Sequence, residues 1–136
     1  MKKQLAGFLV PLFVCIAVLA QAGEFAGLKQ KLVDARYSLW VMLENGDKRG
    51  VDQQKRVKDT ADAVSAMLVA MKAPAGKEAR FKELAETWKA FKKVREEELV
   101  PLILAQGKQK EAEKLATDIQ NERFNKIMKL CDELEK

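Results

Sequence analysis

The sequence predicts an all-α protein, an antiparallel up-down-up-down four-helix bundle. Three observations carry that reading. Apolar residues recur at steps of three and four through most of the chain, the spacing that lines one face of an α-helix. Short stretches rich in glycine, proline, asparagine and aspartate separate these seams and stop each helix. No segment alternates with period two, and β-branched runs bounded by turns do not occur, so strands have no support. Connections this short make consecutive helices antiparallel neighbours.

The chain opens with Lys2 and Lys3, an apolar run of 16 residues from Leu5 to Ala20, and the small residues Ala20 and Ala22 around Gln21. That order is the pattern of a secretory signal peptide cleaved after Ala22. A membrane-spanning helix needs about 20 apolar residues, and this run is shorter and holds Gly7 and Pro11, which leaves an uncleaved inner-membrane anchor as the rival expectation. The division is therefore residues 1–22 as signal and 23–136 as bundle, with the periplasm as the expected location. Taking 22 from 136 leaves 114 residues, the size of one ordinary domain.

Phe25, Leu28, Leu32, Ala35, Leu39 and Met42 form the first seam, and "ENGDKRG" (Glu44 to Gly50) ends it. Val57, Ala61, Val64, Leu68 and Met71 form the second, ended by "APAG" (Ala73 to Gly76). Phe81, Leu84, Trp88 and Phe91 open the third, which is expected to resume at Leu102 and Ala105 before Gly107. Ala112, Leu115, Ile119, Phe124, Ile127, Cys131 and Leu134 line the fourth. Pro101 has no N–H for the carbonyl of Glu97, so the third helix should bend there.

Composition excludes several functions. Histidine is absent, which removes the usual general base and the commonest metal and haem ligand. No C-x-x-C-H, glycine-rich phosphate loop, G-x-S-x-G or H-E-x-x-H motif occurs. Neither an enzyme, a metal site nor a cofactor is expected, and a haem-carrying bundle lacks its ligands. The net charge of +5 becomes +3 without Lys2 and Lys3 and is spread along the chain, which argues against a nucleic-acid partner. Cys131 is the one cysteine of residues 23–136, so no internal disulfide forms there; it reads as a buried small hydrophobe. Met42, Met67, Met71 and Met128 fit core packing better than a copper site.

Continuing the third seam from Phe91 by four and three places Arg95 and Glu98 where apolar residues should stand. Counting from the turns puts Arg36, Arg95, Glu98 and Asp118 at one height. A polar layer in a bundle core costs stability unless its members are paired. Two bland outcomes are an internal Arg95–Glu98 pair, or a shift that lets Val94 and Leu99 take the core positions. The functional one is bidentate recognition of a small anion by Arg95. Val33, Tyr37 and Trp40, with Arg36, form a second stripe on the first helix. It reads either as a wide buried arc or as a homodimer surface, since Trp, Tyr and Arg concentrate binding energy.

The passage "WKAFKKVREEELVPLILAQGKQKEAEKLATDIQ" combines Trp88 and Phe91, Arg95, a Leu/Ile-rich stretch, Gly107 and an alanine-led fourth helix. With Arg36 on the first helix, it resembles the four-helix-bundle sensory domain of methyl-accepting chemotaxis proteins. The resemblance implies a non-enzymatic, sensor-like module that binds a small anionic ligand through helix-borne arginines at a dimer interface. Arg36 and Arg123 are the positions carried over, beside Arg95 from the seam. Family members continue into a second membrane helix and a cytoplasmic signalling hairpin. Their absence after Lys136 makes a membrane receptor partner the expected route for output. The alternative from another class is a structural or chaperone-like helical interaction protein.

Overall fold

The computed structural model describes the backbone of residues 2–136 and the side chains of residues 23–136. The expected signal over residues 1–22, with its cleavage after Ala22, falls outside the described side chains. In chain order the helices are α1 (Lys2–Glu44), α2 (Val51–Ala70), α3 (Glu78–Val94), α4 (Val100–Leu104), α5 (Gln109–Thr117) and α6 (Ile119–Glu135). A π-helical turn, Arg95–Leu99, joins α3 to α4 without a break in helical winding. Asp118 separates α5 from α6. The chain is thus all-α with four helices, the third and fourth each interrupted once, and no strand among the described residues. Among the described residues, no helix is long and apolar enough to cross a membrane.

The first two seams are buried as the periodicity requires, from Phe25 to Met42 and from Val57 to Met71. Burying each large apolar side chain contributes about 1.5–3 kcal/mol. Two turns close with glycines in the left-handed region, Gly76 (φ 80°) and Gly107 (φ 75°), a conformation that a Cβ disfavours. α2 packs along α1, α3 against α6, and α6 against α1. Along α1, Lys29 Nζ reaches Asp132 and Glu135 at 2.9 Å each, Arg36 reaches Asn121, and the Leu43 carbonyl accepts from Gln109. Between α3 and α6, Glu83 pairs with Lys126 and the Phe91 carbonyl accepts from Gln120.

The third and fourth seams differ from expectation at their upper ends. Leu99 and Ile103, not Leu102 and Ala105, enter the core; Leu102 is half-buried and Ala105 exposed. Inward residues now run Phe91, Arg95, Leu99, Ile103, three successive steps of four. In a regular α-helix each such step overshoots a full turn by about 40°, and the seam would wind off the core. The π turn removes the overshoot, its wider ring closed by the Val100 N–H donating to the Arg95 carbonyl. In the fourth helix Ala112, Ala116, Gln120 and Phe124 make the same steps of four across Asp118. Ile119, expected inside, is 41% exposed there.

The buried residues form two apolar clusters. The lower one runs from Phe25 and Leu134 to Ala35, Phe91 and Phe124. The upper one gathers Leu39, Met42, Leu43, Val57, Leu99, Ile103, Ala112 and Ala116.

Candidate functional site: an arginine layer between two cores

Between the two clusters lies the guanidinium of Arg95, with no exposed surface. Its Nη1 donates to the Ala35 carbonyl at 2.8 Å, and its Nη2 to the Val57 carbonyl at 2.8 Å and Ser38 Oγ at 3.3 Å. Arg95 Nε has no partner among the described residues. Among the described residues no carboxylate touches the group, and Glu98 points outward and is exposed. The internal Arg95–Glu98 pair therefore does not form, and the expected shift of Val94 and Leu99 is met by half: Leu99 enters the core, while Val94 stays half-buried and does not replace Arg95. Helix carbonyls carry partial negative charge, and three acceptors stand in for a counter-ion. Burial pushes the Arg95 pKa down to about 10, with Glu96 opposing, so the group stays charged at neutral pH.

Hydroxyls extend the layer. Ser38, 1% exposed, donates to the Ala35 carbonyl at 2.8 Å and shares a hydrogen bond with Thr60 Oγ1 at 2.9 Å. Gln53 Nε2 donates to the Ser38 carbonyl at 2.7 Å. On the opposite side Gln120, 2% exposed, donates to the Phe91 carbonyl at 2.9 Å, one turn before the π turn. Its Oε1 accepts from Arg123 Nη1 at 3.0 Å.

Arg36 lies half-buried at this level. Its Nη2 donates to Asn121 Oδ1 at 2.9 Å, and its guanidinium carbon sits 4.6 Å from the Phe124 ring centre and 6.0 Å from that of Trp40. A cleft of about 20 Å³ opens beside it, bounded by Trp40, Phe91, Gln120 and Phe124, space for about one water. Arg36 and Arg123 thus meet one turn of α6 through Asn121 and Gln120, while Arg95 lies inside, enclosed by protein acceptors. Asp118, expected in the layer, is exposed at the helix break.

Neither Arg36 nor Arg123 has a carboxylate within ion-pair distance among the described residues. Lys29, Lys92 and Lys126 all do. Two half-buried arginines held by neutral amides can exchange those amides for a carboxylate, a stronger and bidentate partner. Of the proposed self-association stripe, Val33 is 45% and Tyr37 65% exposed, whereas Trp40 turns partly into the Arg36 cleft. No group of three metal-ligating residues occurs among the described residues.

Sequence reasoning missed Arg49. Its Nε and Nη2 donate to the carbonyls of Met42 and Leu43 at 2.9 Å each, its Nη1 to that of Ile103 at 3.0 Å, and Nη2 also to Gln109 Oε1 at 2.7 Å. One cation thereby caps the C-terminal ends of α1 and α4, where helix dipoles favour positive charge. An arginine just beyond a helix end was the available signal. Compared with protein-family models, curated proteins and solved structures, the chain matches none.

Proposed function

We propose that residues 23–136 are a non-enzymatic, ligand-responsive bundle of the periplasm, resembling a chemoreceptor input domain. In this reading the helices run up-down-up-down and antiparallel. The pairs along α1 support that course: partners fall from Glu135 to Asn121 to Gln109 as α1 rises from Lys29 to Leu43. The same descent relates α2 to α3, through Ser65–Trp88 and Asp62–Lys92.

The observation that carries the functional reading is the pair Arg36 and Arg123, free of carboxylates, beside a buried cation where both interrupted helices change winding. A small organic anion would replace Asn121 and Gln120 as their partners. Withdrawing Arg123 from Gln120 Oε1 loosens the side chain whose Nε2 donates to the Phe91 carbonyl at the foot of the π turn, so ligand affinity and the winding of the third helix become linked. A ligand shifts such an equilibrium only by its differential affinity for the two windings. Output then passes through a membrane receptor partner or a homodimer.

The test is a thermal-shift series with α-amino acids, dicarboxylates and inorganic phosphate. A ligand at 100 times its Kd stabilises the native state by about 2.7 kcal/mol, so the midpoint should climb with concentration. The climb should vanish in Arg36→Ala and Arg123→Ala. An unchanged response in both variants removes the arginine site. A second reading, a helical interaction protein, draws on the exposed Val33 and Tyr37.

A further inference from the structure

Three polar bridges climb the seam between α2 and the third helix. Trp88 Nε1 donates to Ser65 Oγ at 3.0 Å, Lys92 pairs with Asp62 at 3.2 Å, and Arg95 Nη2 donates to the Val57 carbonyl at 2.8 Å. Beyond the last bridge the two helices part around an open groove of about 580 Å³. That is the size range of small-molecule sites, about 300–1,000 Å³. Its surface is chiefly apolar, with exposed Val51 and half-buried Val100 at its walls and Val57 almost wholly buried beneath it. Val51 is 80% exposed, so an occupant would cover apolar surface now facing water.

The charged residues at the groove are Lys55, Lys58 and Glu96. Glu96 is already held by Lys92 at 3.3 Å. Among the described residues Lys55 and Lys58 pair only with Asp59 and Asp62 of their own helix, and both lysine side chains are over two-thirds exposed, at 73% and 70%. Exposed pairs four residues apart hold their partners weakly, so two ammonium groups stand ready beside an apolar trough.

We propose that this groove binds a medium-chain aliphatic carboxylate, its tail along Val51 and Val100 and its head on Lys55 and Lys58. The groove is separate from Arg36 and Arg123, so either site can fail while the other stands. Recognition divides between tail and head: an alcohol of equal length keeps the first and loses the second.

The test titrates the full chain with octanoate and follows its amide proton–nitrogen spectrum. Saturable shifts are expected at Gln54, Lys58, Glu96 and Val100, with Arg36 and Phe124 unmoved. Octanol should bind about tenfold more weakly, as should the double variant Lys55→Gln/Lys58→Gln, since a lost charge-assisted contact is worth about that factor. Val100→Asp should abolish the shifts. Because both lysines are exposed, their variants keep the fold, and a native amide spectrum verifies it. The proposal is overturned by equal affinity for octanol, by unchanged octanoate binding in the double variant, or by shifts confined to residues outside the groove.

Discussion

Arg95 is a cation buried without a counter-ion, and its surroundings do not depend on it. The Ala35 carbonyl keeps Ser38 as a donor, and the Val57 carbonyl lies inside α2, where the helical ladder supplies a backbone donor. Replacing a buried charge by an apolar side chain of similar volume is often neutral or stabilising by about 1–4 kcal/mol, whereas truncation leaves a cavity that costs about 2–5 kcal/mol. Arg95→Met should therefore match or exceed the parent in urea midpoint at pH 7, and Arg95→Ala should fall well below it. Burial holds the folded-state pKa near 10, below the ordinary arginine value. Above about pH 10 the unfolded chain thus keeps a proton that the folded one loses, and the parent gains stability as pH rises. The advantage of Met is full below pH 10 and should shrink by pH 11; an advantage unchanged at pH 11 contradicts this account. Cys131 gives a second residue-scale prediction. It is fully buried, and burial pushes its thiol up to about 12. Iodoacetamide at pH 8 should leave Cys131 unlabelled in the native state and label it in urea, as read by peptide mass mapping. That the seam passes through Arg95 was legible in the sequence. Its partners were not, because backbone carbonyls on two other helices, α1 and α2, leave no mark in residue identity.

At the scale of elements, the under-wound turns explain what periodicity missed. Expecting Leu102 and Ala105 assumes uniform winding; the alternative Arg95, Leu99, Ile103 was equally visible as a run of fours. Such a run behaves as a one-residue insertion into a three-and-four pattern, which locally unwinds a helix. Removing exposed Glu97 converts the run to four, three, four, the spacing that a regular α-helix keeps on one face. The deletion should leave the fold intact and change stability by no more than about 1 kcal/mol, as judged by urea unfolding. Deleting exposed Lys89, which lies within an already regular seam, rotates Phe91 off the core and should cost several times more, about 3–5 kcal/mol. Equal damage from the two deletions would show that the π turn is not an accommodation of sequence spacing. Pro101 suits this position, since the turn before it already departs from the ladder that Pro101 cannot join.

For the whole molecule, the four-helix, all-α character followed from periodicity and punctuation alone, because each apolar stripe demands a partner. The division of the core into two clusters did not, since it depends on which polar residues meet at one height. The exposed Val33 and Tyr37 predict self-association along α1. Sedimentation should show dimer in the parent and monomer in Tyr37→Glu, at matched stability; a parent that remains monomeric removes the homodimer and leaves the single chain as the binding unit. The central claim is that Arg36 and Arg123 exchange neutral amide partners for a small organic anion. The measurement that bears on it most directly follows the arginine side-chain Nε–H signals while the chain is titrated with the most stabilising anion of the thermal series. Signals of Arg36 and Arg123 should move and saturate at the midpoint of the thermal response, with the buried Arg95 signal moving in step as the layer adjusts. The claim fails if no anion moves Arg36 or Arg123, or if they drift only with ionic strength, as an exposed cation does.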